Sequence, residues 1–244
     1  MKPILDLHTH TVESGHAYST IKENIEFAVK HGLKYLGVSD HAPAMPASPH
    51  LFYFQNLKVI PREIDGVKIL RGIEANIIDL DGTLDTGEDI LCSVDYAIAS
   101  LHPPCVDAGS IDENTNAVLN AMDIDKVKII GHPDDSRYPL DYEAIVLKAK
   151  EKNILLEINN SSLNPNSFRE GAKENITKML ELCKIHNVKV IMGTDSHICY
   201  SIGVFNNCEK LIDEIGFPKE LVINYHEDKI IEFFDLDLMK NESK

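Results

Sequence analysis

The chain's 244 residues, 43% apolar and 26% charged, suit an ordinary globular protein with a full core, and an α/β barrel of this length often forms one domain, here expected over residues 1–244. No run of eighteen apolar residues appears, and the opening Met1-Lys2-Pro3-Ile4-Leu5-Asp6 is too short and too interrupted for a signal peptide; no membrane span is expected, and the cytoplasm is. A net charge of −15 argues against nonspecific binding to nucleic acid or anionic membranes.

Residues 3–10 alternate and read as a strand, with Ile4, Asp6, His8 and His10 inward. Thr20-x-x-Glu23 is a capping box opening a helix, with Ile21, Ile25, Ala28 and Val29 on its apolar face and Gly32 as its stop. Strands follow at 35–39 and 67–73. Between them, residues 42–60 carry Pro43, Pro46 and Pro49 beside Leu51, Phe52, Tyr53 and Phe54. A stretch this long is either a lid or binding loop or an inert surface excursion. Further strands are expected at 94–100, 127–131, 154–159 and 188–193. Helical patterns fall near 113–122, 142–152, 170–186 and 206–215, with a last short helix at 228–234. This alternation predicts an α/β parallel barrel of seven strands, closed or slightly distorted. A doubly wound open sheet is the rival, but neither a G-x-G-x-x-G nor a Walker motif supports it. Cys92, Cys105, Cys183, Cys199 and Cys208 form no C-x-x-C pair and read as reduced thiols in a cytosol.

The downstream ends of these strands carry the chemistry. The first ends in His8-Thr9-His10, the second in Ser39-Asp40-His41 and the third in Gly72-Ile73-Glu74. The fourth ends in Ser100-Leu101-His102, the fifth in Gly131-His132 and the seventh in Asp195-Ser196-His197. In a parallel barrel these ends converge on one face, where active sites form. An H-x-H alone is a weak signal, but metal-ligand residues at the same end of six strands point to a metal cluster. Residues i and i+2 of a strand point the same way, ~6.6 Å apart, so His8 and His10 can reach one metal. Asp195 and His197 share that spacing. Asp40 faces the other way and suits either a partner that fixes a histidine tautomer or an outward salt bridge. Low-weight substrate contacts are His50, in the long loop, and Arg137, which suits a phosphate clamp or an ordinary surface role, as do Arg62 and Arg71. His31, His186 and His226 are assigned no function. Bound metals would offset the repulsion between an anionic substrate and a chain this acidic.

These residues resemble the PHP family, named for polymerase and histidinol phosphatase. The match runs through Asp6-Leu7-His8-Thr9-His10, His16, Ser39-Asp40-His41, Glu74, His102-Pro103, Gly131-His132-Pro133 and Asp195-Ser196-His197, over nearly the whole chain. The segments His41-Ala42-Pro43-Ala44-Met45-Pro46, Pro49-His50 and Glu157-Ile158-Asn159-Asn160-Ser161-Ser162 look like the YcdX-like phosphatase branch. The resemblance implies a distorted seven-stranded (βα)7 TIM-like barrel with three divalent metals per chain, zinc first, manganese or iron as alternatives. It implies that His8, His10, Glu74 and Asp195 hold one metal. Glu74 bridges to a second, held also by His102 and His132, and His16, His41 and His197 hold the third. His16 enters through the resemblance alone. The implied activity is phosphomonoester hydrolysis by a metal-activated hydroxide, with Asp195 a candidate orienter and a small phosphorylated substrate as partner. The branch also suggests a homotrimer. Rival readings are an amidohydrolase-like hydrolase, a phosphodiesterase and a metal-binding protein without turnover.

Overall fold

The computed structural model describes residues 1–236. The elements run β1 (Leu5–Asp6), α1 (Ile21–His31), β2 (Tyr35–Val38), α2 (Phe52–Asn56), β3 (Glu63–Ile64), β4 (Val67–Ile77), α3 (Glu88–Leu91) and β5 (Tyr96–Leu101). They continue with α4 (Ile111–Ala121), β6 (Val127–Ile130), α5 (Tyr142–Lys152), β7 (Leu155–Asn159), α6 (Ala172–His186), β8 (Val190–Gly193), α7 (Asn206–Ile215) and α8 (Glu227–Phe233). The capping box forms as the sequence requires: Glu23 N donates to the Thr20 hydroxyl while Thr20 N donates to the Glu23 carboxylate. Gly32 ends α1 at φ 74°.

Seven parallel strands among the described residues pair in the order β1-β2-β4-β5-β6-β7-β8. The short strand β3 is an antiparallel hairpin arm on β4. Its two-residue turn, Asp65-Gly66, has φ 50° and 81°, the left-handed geometry of a tight hairpin. The barrel is nearly closed. At the top, Thr9 bridges Ser196 in parallel. At the bottom, the buried Asn224 fills the seam between β1 and β8. Its amide donates to Leu5 O at 2.9 Å and Met192 O at 2.8 Å, and its carbonyl accepts from Met192 N at 2.7 Å.

Two apolar clusters divide the core. The outer one joins strand residues such as Ile73, Ala97, Ile130 and Ile158 to helix residues such as Ile25, Val118, Ile145 and Met179. The inner one holds Tyr35, Leu70, Tyr96, Ile98, Ile129, Leu155 and Ile191, and is plugged from below by Ile223, Ile230 and Phe234. Tyr96 lies across the barrel and donates to Leu7 O at 2.6 Å. A Cβ at Gly37 or Gly72 would collide with its ring or hydroxyl, so these two strands need glycine there. No helix among the described residues is long and apolar enough to cross a membrane.

The structure adds β3 and α3, which the sequence did not predict, and departs from the expected elements further. The strand expected to end at Ile73 runs to Ile77, because residues 72–77 pair with β5. The expected alternation over residues 4–10 breaks: Leu5 and Leu7 join the inner cluster, while Asp6 accepts from Thr194 and Gly203 N. Regular pairing of β1 stops at Asp6, so His8 and His10 are aimed by a less regular backbone. The 42–60 segment is not structureless. It contains α2, and Phe54 and Leu57 are buried against the outer cluster.

Candidate metal centre and cleft

The pleat explains why catalytic-type residues lie directly above the inner core. Along β4 the inward series is Leu70, Gly72, Glu74 and Asn76; along β5 it is Tyr96, Ile98 and Ser100, with His102 next. Along β7 it is Leu155, Glu157 and Asn159, and along β8 Ile191 and Gly193, with Asp195 next. Two turns sharpen the aim. His132, just past β6, has φ 27°, and Asp195 has φ 52°. Left-handed backbone at non-glycine residues costs on the order of 1–3 kcal/mol and persists only where surroundings enforce it.

Glu74 sits at the centre and is fully buried. Its Oε1 lies 3.2 Å from His8 Nε2, 3.3 Å from His102 Nε2 and 3.0 Å from His132 Nε2, and accepts from Ser100 at 2.8 Å. Its Oε2 lies 2.6 Å from His41 Nδ1 and 3.5 Å from His10 Nε2. Asp195 Oδ1 lies 3.3 Å from His10 Nε2 and 3.6 Å from both His8 Nε2 and His197 Nδ1. His16 Nε2 approaches His197 Nε2 at 2.9 Å, and the His16 ring stacks on His41 with centroids 5.0 Å apart. All nine expected ligand residues therefore gather at one end of the barrel.

Most imidazoles are held from behind, so that one nitrogen faces inward. His8 Nδ1 meets Glu157 Oε1 at 2.7 Å, and His102 Nδ1 meets Asn76 Oδ1 at 2.8 Å. His197 Nδ1 meets its neighbour's carbonyl, Asp195 O, at 3.0 Å. His10 Nδ1 meets Ser14 Oγ at 3.1 Å, and Ser14 donates onward to Asp40 Oδ1 at 2.6 Å. Asp40 also accepts from Thr11 N and from Tyr53 OH. The structure thus places Asp40 behind His10 through a serine. Such partners fix the tautomer and leave the far nitrogen as a lone-pair donor.

Electrostatics favour anionic carboxylates at Glu74 and Asp195 and neutral rings at His10 and His102. Burial opposes ionisation of Glu74, but the imidazoles of His41, His8 and His102 outweigh it and hold the carboxyl well below its usual range. Asp195 behaves alike: burial is outweighed by His8 and Arg169. Burial, aided by His197 and His41, pushes His10 well below its ordinary value, and burial brings His102 to about 3. His8 runs the other way: burial is outweighed by Glu157, Glu74 and Asp195, which hold it well above its ordinary value, so a cation bound there displaces its proton.

The donor set fits divalent metal. Among the buried atoms without a hydrogen-bond partner are His8 Nε2, His10 Nε2, His41 Nδ1 and Glu74 Oε2, and all four point into this cluster. Buried polar atoms are rarely left so, and a cation is the partner that satisfies several lone pairs at once. Four overlapping sets have ligand atoms within 4.8 Å of one another: His10, His41 and His197; His8, His132 and Asp195; His8, His10 and Glu74; and His41, Glu74 and His102.

Comparison with known proteins places this geometry in a family. The model of the PHP domain matches residues 6–226. The chain belongs to the PHP domain family. A probable phosphatase of Clostridium novyi is 52% identical over 96% of this chain and 95% of its own length. One of Clostridium acetobutylicum is 50% identical over the same shares. Among solved structures, histidinol phosphate phosphatase from Lactococcus lactis, complexed with zinc, L-histidinol and phosphate, matches with a TM-score of 0.64. It is 22% identical and covers 89% of this chain and 95% of its own, so the likeness is one of fold.

Within this PHP domain a cleft of about 650 Å³ opens over the cluster, lined by His16, His41, His102, Asp195 and His197 below and by Met45, Pro46, Pro103, Pro104 and Phe168 above. The first half of the 42–60 segment thus walls the cleft. Arg137 lines the cleft too, with its guanidinium paired to the Asp135 carboxylate. His50 is exposed and does not line the cleft; its Nδ1 accepts from Phe52 N. His31 bonds Ile202 O and His226 bonds Lys219 O, away from the cluster. Cys105 is pushed up to about 12 by burial, and the five cysteines are free thiols.

Two residues of the PHP site were given no role by the sequence, although Glu157 opens one of the segments that carry the resemblance. Glu157 supplies the strand that seemed to lack a functional acid: it holds His8, and its Oε2 accepts from His132 N at 2.7 Å. A Cβ at Gly193 would overlap Glu157 Oε1, so that strand needs glycine. The pleat was the available signal, since Glu157 and Asn159 alternate with Leu156 and Ile158. Arg169 comes from the polar loop before α6. Both of its terminal nitrogens lie 3.1 Å from Asp195 Oδ2, and Nη1 bonds Ser162 at 2.9 Å. No periodicity marks a loop arginine, so nothing in the sequence distinguished it.

Proposed function

We propose that this PHP domain is a metal-dependent phosphatase that hydrolyses small phosphomonoesters at a site for three divalent cations, zinc first and manganese or iron as alternatives. The carrying observation is the convergence of buried, unpartnered lone pairs of His8, His10, His41 and Glu74 on one carboxylate-centred cluster. The probable phosphatases at 52% and 50% identity over 96% of the chain support the activity.

In this reading His8, His10, Glu74 and Asp195 hold one cation, and His16, His41 and His197 another. Glu74, with an imidazole-facing oxygen on each side, would be shared with the third, which His102 and His132 would also hold. When bound, the cations supply a nucleophile at neutral pH and neutralise charge on the phosphoryl oxygens.

The chain's own residues set the geometry. Glu157, Ser14 with Asp40, and Asn76 keep His8, His10 and His102 in the tautomer that presents Nε2 inward. Arg169 presents a planar guanidinium beside the cluster and, with its stem buried, suits a phosphoryl oxygen. Arg137, chelated by Asp135, has less donor capacity to offer, and His50 stands outside the cleft. Asp195, between His10 and Arg169, orients both. The test is hydrolysis of p-nitrophenyl phosphate by zinc-loaded protein. Turnover should vanish on complete chelation and return with metal; turnover that survives full metal removal contradicts the reading.

A further inference from the structure

We propose that the outer half of the cleft selects phosphomonoesters whose alcohol carries a flat apolar body, with Phe168 as the platform for that body. The proposal rests on the phosphatase reading for its phosphate end. The cleft has two tiers. Its floor is the histidine and carboxylate cluster. Its walls join the apolar Met45 and Pro46 after β2, Pro103 and Pro104 after β5 and Phe168 from the loop before α6 to Ser161 and the paired Asp135 and Arg137. Prolines and methionine offer apolar surface and few hydrogen bonds, which a polyol would need.

Phe168 is the exposed element of this wall, at 70% exposure, and a large apolar ring left open beside a cleft is poised for burial by a ligand. Two guanidiniums approach it. Arg137 lies over the ring at 5.2 Å from the centroid, and Arg169 at 5.4 Å. Arg169 is in turn bonded to Asp195, so the ring is tied to the floor. The wall's carboxylate, Asp135, is neutralised by Arg137, so a cationic alcohol gains no free anionic partner from it. Phosphate on the floor, a short link and a flat apolar group against Phe168 satisfies both tiers.

The test compares two alkyl esters whose leaving oxygens are alike, 2-phenylethyl phosphate and glycerol 3-phosphate, on zinc-loaded wild type, Phe168→Ala and Phe168→Tyr. Alongside, calorimetry measures binding of their non-hydrolysable phosphonate analogues. The proposal expects the aromatic compound to win by about tenfold or more in both kcat/KM and affinity, the scale on which apolar pockets discriminate. Phe168→Ala should erase most of that gap through KM and Kd rather than kcat, and Phe168→Tyr should restore it. Equal affinities in wild type, a preference for the glycerol compound, or a gap unchanged in Phe168→Ala overturns the proposal. If the aromatic phosphonate binds preferentially through Phe168 yet neither ester is cleaved, the platform stands and the phosphatase reading falls.

Discussion

The two ends of the barrel are built from the same strands and obey opposite rules. At the bottom, Leu70, Tyr96, Ile98, Leu155 and Ile191 fill the interior, and Asn224 and the Tyr96 hydroxyl have their hydrogen bonds satisfied. One pleat higher, the same strands present Gly72 with Glu74, Ser100, Glu157, Gly193 and Asp195. There, left-handed backbone at His132 and Asp195 and unpartnered buried atoms accumulate. Proteins keep strain and unsatisfied polarity where a ligand will resolve them. The difference locates stability below and chemistry above, separated by about two residues per strand.

Substitutions should separate these two ends cleanly. The largest expected effect is at Glu74. Glu74→Gln keeps the shape but removes the central charge; turnover should fall by about a thousandfold or more. Metal-free stability should fall by no more than about 3–5 kcal/mol, because a carboxylate held below its usual range by His41, His8 and His102 leaves those imidazoles unpaired when it is neutralised. Parallel kinetic assays and thermal melts check both, and a collapse of metal-free stability would erase the contrast. Next is the apolar interior below the cluster: Ile98→Ala should cost about 2–5 kcal/mol in chemical denaturation while turnover per folded molecule stays near wild type. A matching loss of turnover would show that the tiers are coupled.

Smaller effects grade the supporting residues. Glu157→Gln should weaken metal affinity or activity about 10–100-fold, and Asp40→Asn by the lower end of that range because it acts through Ser14. Metal titration followed by assay ranks them, and equal or absent effects would remove these residues from the account. The smallest is His50→Ala, expected to shift stability by less than about 0.5 kcal/mol and to leave kcat/KM unmoved, since the residue is exposed outside the cleft.

Much of this was readable from residues alone, and the exceptions have physical causes. Apolar runs marked the seven parallel strands, and the Thr20–Glu23 capping box marked α1, because amphipathic period and capping act locally. The end of β4 was misjudged because pairing with β5, a contact distant in sequence, extends it past Glu74. The β3 hairpin was missed although Asp65-Gly66 carries a local turn signal. Glu157 was passed over because its strand showed no histidine, and Arg169 because a loop has no period to read. Asn224's role follows from barrel closure, which no local pattern encodes.

The central claim is that His8, His10, His16, His41, Glu74, His102, His132, Asp195 and His197 surround several cations at one barrel mouth. Anomalous diffraction at the zinc edge, from crystals of zinc-loaded protein, tests it most directly. The account predicts three peaks inside the cluster, with imidazole nitrogens about 2.0–2.1 Å away and one pair of peaks bridged by Glu74. A zinc-loaded crystal with no peak among these residues would contradict it.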